Sequence, residues 1–244
     1  MVYYDVHWKT WKEFLKIKDR DMPETLILEG HLAYPQILST RGKIIEDSRE
    51  AWMPNLMIGK YKGKTVAYGI TFGGPIASQF AHIYSKLGAK RIILIGECGG
   101  LQENIDLGEV VISDKVLSKD GVWKLYKRRS SMLTFNRKLT NRIADLVEET
   151  GMKYHRGKTV SYYDILLEEF EEVDRLTAQG YLGVDMEAAS VASVANHFKV
   201  PAAALFMVGD NHTSGKGLFY TQTDEDRSRM KGVMDRILQI ALDA

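Results

Sequence analysis

Small and acidic residues gather at four places where an apolar run ends. These are Gly30-His31, Phe72-Gly73-Gly74, Gly96-Glu97-Cys98-Gly99-Gly100 and Val208-Gly209-Asp210-Asn211. A fifth group, Val184-Asp185-Met186-Glu187, joins a short apolar stretch to a helical pattern. A carboxyl group in such a place can donate a proton when its pKa is raised, or accept hydrogen bonds from sugar hydroxyls when ionised. Each group also has a plainer reading. A glycine pair closes a tight turn, Asp210 can cap the turn after a strand, and Asp185 and Glu187 suit the positive end of a helix. Their order and spacing together carry more than any one of them. No His/Cys grouping has metal-ligand spacing, so neither a metal nor a cofactor is expected.

In open α/β sheets ligands bind where strands end, so the elements that hold these residues matter. Trp8 to Lys18 has the spacing of an amphipathic helix, and Thr25 to Glu29 reads as a buried strand ending at Gly30. Leu56–Tyr61 and Thr65–Ile70 flank Lys62-Gly63-Lys64 as a hairpin. A helix from Ile76 to Leu87 leads to the continuous apolar strand Arg91–Gly96, and Glu109–Ser113 is another strand. Further helices are expected at Phe135–Glu149, Leu166–Gln179, Glu187–Phe198 and about Asp224–Leu242, with a last core strand at Ala202–Val208. Interleaved strands and helices argue for an α/β sandwich with a mixed central sheet. No linker, repeat or charge block divides the chain, so residues 1–244 read as one domain with 1–24 as an N-terminal helical extension.

Composition bounds the function. The chain has 244 residues, 45% of them hydrophobic, and its 33 Lys+Arg against 32 Asp+Glu leave a net charge of +1. That balance speaks against a nucleic-acid polymer or a membrane surface as partner. With one cysteine no disulfide framework is possible. The start shows no signal-peptide pattern and no apolar run reaches the length of a membrane span, so a cytoplasmic protein is expected.

The quoted groups resemble the nucleoside phosphorylase family that includes hexameric purine nucleoside phosphorylase, uridine phosphorylase and related nucleosidases. Gly183-Val-Asp-Met-Glu-Ala-Ala189 is very close to that family's Val-Glu-Met-Glu-Ala motif. Leu94-Ile-Gly-Glu-Cys-Gly-Gly-Leu101 and Leu107-Gly-Glu-Val-Val-Ile-Ser113 are similar to its central glycine block and the strand beyond. Val208-Gly-Asp-Asn211 matches its Ser-Asp-Asn/His motif with glycine in place of serine. The resemblance implies a three-layer α/β/α sandwich and cleavage of the N-glycosidic bond of a nucleoside, a purine being slightly favoured. It implies no cofactor and a homo-oligomer, either a dimer or a hexamer.

By the same resemblance Asp210 is the base-facing acid, and Arg227 resembles the arginine that assists it in some members; a solvated helix arginine fits Arg227 equally. Met186 and Glu187 would hold the ribose, with Phe72 beneath it. Ser161-Tyr-Tyr-Asp-Ile165 corresponds to the base-stacking region. Ile165 stands in frame with the stacking aromatic, so Tyr162 or Tyr163 could supply the ring instead. Gly30, His31, Gly73 and Glu97 would line the pocket for phosphate or water. His7 and Arg49 are candidates to reach a neighbouring subunit, and Trp52-Met-Pro54 to form interface or core.

The departures from the pattern concern phosphate. The turn Gly30-His-Leu-Ala-Tyr34 has no arginine, Leu94 replaces a second, and a third falls near Trp52. Glu97 stands where a hydroxyl should hold phosphate. An ionised Glu97 would repel phosphate and could instead activate water, giving hydrolysis. Two readings remain: phosphorolysis, or binding of a nucleoside without catalysis. Glu97 could equally pair with a lysine or arginine in a structural role. Lys127-Arg128-Arg129 reads as a solvated patch and Cys98 as a small buried thiol.

Overall fold

A computed structural model of the chain describes residues 5–19, 22–31, 34–51, 53, 55–126 and 129–244, with the side chains of 34–36 and 167 left aside. Met1 to Tyr4, Arg20, Asp21, Leu32, Ala33, Trp52, Pro54, Lys127 and Arg128 lie outside the described residues.

The elements run α1 (Trp8–Phe14), β1 (Thr25–Gly30), α2 (Tyr34–Arg41), β2 (Glu46–Glu50), β3 (Leu56–Tyr61), β4 (Lys64–Thr71), α3 (Gly74–Lys86), β5 (Arg91–Gly100) and β6 (Val110–Ser118). They continue with α4 (Val122–Leu125), β7 (Met132–Thr134), α5 (Arg137–Glu149), β8 (Tyr154–Ser161), α6 (Phe170–Ala178), β9 (Tyr181–Asp185), α7 (Ala188–Phe198), β10 (Ala202–Asn211), α8 (Asp224–Met230) and α9 (Val233–Asp243).

The central strands are apolar on both faces because helices cover both. In β1, β5 and β10, Leu26, Leu28, Leu94, Ala204 and Phe206 pack against α3 and α7 through Phe80, Tyr84, Val191 and Val194. The alternate residues Ile27, Ile93, Ile95 and Leu205 pack against α5 and α9 through Ile143, Val147, Ile237 and Leu238. This period-two division makes the three-layer α/β/α sandwich. The sheet is mixed, in the order β10-β6-β8-β9-β5-β1-β4-β3-β2, and β10 also pairs with β5. Strands β5, β10, β6, β8 and β9 therefore close a ring. The β1–β5 seam beside it is tight where Gly30 and Gly96 pair, since a Cβ on Gly96 would stand 3.1 Å from the Gly30 carbonyl oxygen.

Several expected boundaries move, each for a local reason. The first helix stops at Phe14 because Lys16 takes a positive φ of 53°. The stretches after Gly96 and Val208 are strand rather than loop: Asp210 pairs with Gly99, and Gly99 and Gly100 pair with Val184 and Gly183. The expected helix Leu166–Gln179 is two pieces, a 3-10 turn at Ile165–Leu167 capped by Asp164 and then α6. The C-terminal helix breaks at Gly232, where φ is 75°. The exposed strand β2, Glu-Asp-Ser-Arg-Glu, has no apolar alternation to announce it.

Candidate active site

Met186 and Glu187 form the short link between the end of β9 and the start of α7. Asp185, the last residue of β9, is satisfied from within. Ser161 Oγ donates to its Oδ1, while the Ala188 N–H (2.6 Å) and the Glu187 N–H (3.3 Å) donate to its Oδ2. Ser161 Oγ also accepts from the Ala189 N–H at 2.9 Å, so one serine ties β8 to the first turn of α7. Burial raises the Asp185 carboxyl and these hydrogen bonds oppose the rise.

Glu187 is as deeply buried but more sparsely held. Oε1 accepts the Gly73 N–H at 2.5 Å, and Oε2 lies over Gly30, where a Cβ would come within 2.9 Å of it. Burial is the larger cause of its raised pKa and Asp185 the next; the Gly73 and Met186 N–H groups lower it. With two oxygens and few donors, Glu187 keeps acceptor capacity for a ligand's hydroxyl groups. Gly30 and Gly73, both expected in the phosphate or water pocket, thus bear directly on the Glu187 carboxylate.

A β-bulge shapes the other end of the site. The β5–β10 register shifts between Val208 and Asp210, and such an irregularity re-aims the next side chain. Asp210 lies over Gly99, with a Cβ there 3.5 Å from its Oδ1. Burial raises its carboxyl and His212 opposes the rise. Glu97 crosses Gly209, where a Cβ would stand 2.7 Å from its Oε2. Glu97 is exposed to solvent. Partial desolvation of its carboxyl raises its pKa, His31 lowers it, and Asp210 and Glu29 add to the rise. Among the described residues no lysine or arginine bears on Glu97 or Asp210, and Glu97 makes no ion pair with one. The structural lysine or arginine pairing considered for Glu97 is therefore not formed among the described residues.

Glu168 belongs to this end of the site and escaped sequence reasoning. In one continuous helix from Leu166 it would be an ordinary solvated charge. It instead follows the 3-10 turn, half-buried, and burial together with the charge on Asp210 pushes its carboxyl up to about 7. The Asp164 cap of the Leu166 N–H (2.9 Å) was the signal that could have split the helix. The ring of Phe170 meets His212 edge-on at 6.1 Å, joining this loop to the end of β10.

The remaining candidates separate. Phe72, Tyr163 and Ile165 are exposed, whereas Tyr162 packs into a small cluster with Val160, Leu176 and Val184. Of the two tyrosines, Tyr163 is the one with a face open to a base. Arg227 is not brought to Asp210: on α8 it donates to the Gln222 carbonyl at 2.5 Å and pairs with Asp224 at 2.5 Å. His7 caps α1, accepting the Lys9 N–H at 3.3 Å. Arg49 donates to the Lys16 carbonyl at 3.3 Å and lines a basic cleft of about 660 Å³ beside Lys18 and Lys60. That cleft includes Thr65, near the start of β4, and lies at the opposite end of the sheet from Gly30. Cys98 is buried with its thiol pushed well up, as a packing residue should be. Among the described residues no group of His, Cys, Asp and Glu could hold a metal ion.

The sequence model of the phosphorylase superfamily matches residues 50–242. The DeoD-type purine nucleoside phosphorylase of Colwellia psychrerythraea is 25% identical over 240 residues, covering 93% of this chain and 98% of that protein. The one from Caldanaerobacter subterraneus subsp. tengcongensis is 28% identical over 233 residues, covering 93% and 96%. The crystal structure of uridine phosphorylase from Vibrio fischeri has the same fold, with a TM-score of 0.79 at 21% identity over 92% of this chain and 93% of that one.

Proposed function

The chain belongs to the phosphorylase superfamily, and from that membership we propose that it cleaves the N-glycosidic bond of a purine nucleoside with water as the acceptor. Glu187 accepts the ribose hydroxyls, which favour its ionised form, and Met186 and Phe72 wall the sugar. Asp210, whose pKa burial raises, donates to the base as the C1′–N bond breaks. Glu97 takes a proton from the water whose oxygen bonds to C1′, and the neighbouring His31 favours the ionised state this requires.

One observation carries the choice of water. Glu97 Oε2 lies 2.7 Å from where a Cβ at position 209 would stand, so glycine at 209 leaves room for the Glu97 carboxylate at the attack side. A carboxylate there repels a phosphate dianion, and among the described residues no arginine or lysine offsets it. Phosphorolysis is the second reading, favoured by the names of the relatives. A binding protein without activity is the third, and the raised carboxyl of Asp210 argues against it, since binding alone needs no proton donor. The same reading takes 1–244 as one unit that assembles as a dimer or hexamer in the cytoplasm, which light scattering of the purified chain checks for assembly. Among the described residues no helix is long and apolar enough to cross a membrane.

Incubation with a panel of nucleosides, with and without phosphate, tests the reading. Free base and free ribose without phosphate support it. Ribose 1-phosphate formed only with phosphate replaces it with phosphorolysis. Binding without either product leaves the third reading.

A further inference from the structure

We propose that the basic cleft at the edge of the sheet is a binding site for a short inorganic polyphosphate, separate from the site that holds the nucleoside.

Charge supplies the first support. Lys16, Lys18, Arg49 and Lys60 line the cleft against one acid, Asp47. That is a local surplus of three positive charges in a chain whose whole net charge is +1. Glu46 and Glu50, the other acids of β2, do not line it. A surplus gathered in a concave place attracts anions far more than the same charges spread over a surface.

The backbone does the gathering. Of the four non-glycine residues with positive φ among the described residues, two line the cleft, Lys16 at 53° and Asp47 at 52°. Residues with a side chain rarely adopt that region. At Lys16 it turns the chain out of α1, and Lys16 and Lys18 are exposed on either side of the buried Ile17. At Asp47 it falls within the register shift between Glu46 and Arg49, a bulge that re-aims the arginine. Arg49 Nη2 donates to the Lys16 carbonyl at 3.3 Å and so draws the two segments together. Gly59 lets β2 lie close, since a Cβ there would stand 2.5 Å from Ile45 Cγ2 and 2.7 Å from the Glu46 carbonyl oxygen. Lys60 Nζ donates across the β3–β4 hairpin to Thr65 Oγ1 at 2.7 Å, which keeps the ammonium at the cleft wall.

The lining also says what kind of ligand fits. A volume of about 660 Å³ is that of a small-molecule site. Such sites are ordinarily walled by apolar and aromatic side chains. Here, among the described residues, Ile58 is the one large apolar side chain in the lining and no aromatic ring is present. A nucleobase has nothing to stack on. Lysine ammonium groups and an arginine fork match phosphate oxygens, and several cations call for several phosphates. The cleft is also remote from the nucleoside site. Thr65 lies six residues along β4 from Thr71, which pairs with Gly30, so about 20 Å of strand separates them. An anion in the cleft bridges the segment after α1, β2 and β3, and its binding stabilises that edge of the sheet without entering the reaction.

The test is calorimetric titration of the full chain with orthophosphate, pyrophosphate, triphosphate and ATP, as sodium salts at one ionic strength without divalent metal, with thermal melts alongside. Triphosphate should bind saturably, one per chain, more tightly than pyrophosphate and far more tightly than orthophosphate, and should raise the melting temperature. ATP should bind no better than triphosphate, because nothing in the lining meets its base. Lys18→Ala and Arg49→Ala should each weaken triphosphate binding by roughly tenfold, and Lys18→Arg should restore most of it. Lys18 is exposed, so its variants keep the test readable even where Arg49→Ala fails to fold. Asp210→Asn and Glu187→Gln should leave the affinity unchanged. No saturable binding of triphosphate, or an affinity indifferent to both cleft variants, overturns the site. An affinity lost in Asp210→Asn gives the anion to the nucleoside site and overturns it equally. ATP bound far more tightly than triphosphate overturns the inorganic ligand in favour of a nucleotide.

Discussion

The two ends of the site hold their carboxyl groups in opposite ways. At the sugar end Asp185 and Glu187 sit two residues apart, both buried, and backbone N–H groups from α7 and Gly73 define their places. At the attack end Glu97 and Asp210 come from two neighbouring strands and lie over Gly209 and Gly99, where a side chain would meet them. The first end is a fixed cradle. The second is a set of acids whose protonation depends on one another, which suits proton transfer better than binding. Within the sugar end the contrast repeats on a smaller scale: Asp185 spends its acceptor capacity on Ser161, Ala188 and Glu187, while Glu187 retains some for a ligand.

Breaking the attack end should cost most. Asp210→Asn removes the proton donor and should lower kcat by about 10²–10⁴-fold with little change in nucleoside affinity; stopped-time product assays and equilibrium binding on the same protein check this. An unchanged kcat would remove Asp210 from its role. Gly209→Ser puts a side chain where Glu97 Oε2 now lies. Displacing the carboxylate should lower hydrolysis by roughly 10–100-fold, since small misplacements of a reacting group are costly. Full activity would show that Glu97 needs no such place.

Glu187→Gln probes the cradle through stability rather than rate. The folded-state pKa of Glu187 is raised, so the folded chain binds more protons than the unfolded one above the ordinary carboxylate range, and its stability falls as pH rises there. The glutamine variant escapes that loss. Its melting temperature relative to wild type should therefore climb by a few degrees between about pH 4.5 and pH 8. A constant difference across that range would contradict the assigned shift.

How much of this was legible in the sequence follows from the range of the interactions. The sugar end is written in consecutive residues, Val184 to Ala189, and the alternating apolar strands announced the layers. Asp210 was recognisable as a single acid after a core strand. The half-burial of Glu168 was not, because it follows from the 3-10 turn that interrupts an apparently continuous helix. The reach of β5 and β10 into their glycine stretches was hidden for the same reason: glycine disfavours strand locally, and only pairing with β9 and with each other overrides it. Arg227 shows the converse. Its sequence position suggested a catalytic aid, but in the fold the nearby Asp224 and Gln222 engage it on the surface of α8.

The central claim is that water attacks at the place Glu97 and Gly209 share. The most direct measurement is nucleoside cleavage in ¹⁸O-labelled water with excess phosphate present, followed by mass analysis of the sugar product. The account predicts free ribose carrying one ¹⁸O atom fixed at C1 when captured before ring-opening exchange, at a rate indifferent to phosphate. Unlabelled ribose 1-phosphate, formed at a rate that rises with phosphate, would contradict it.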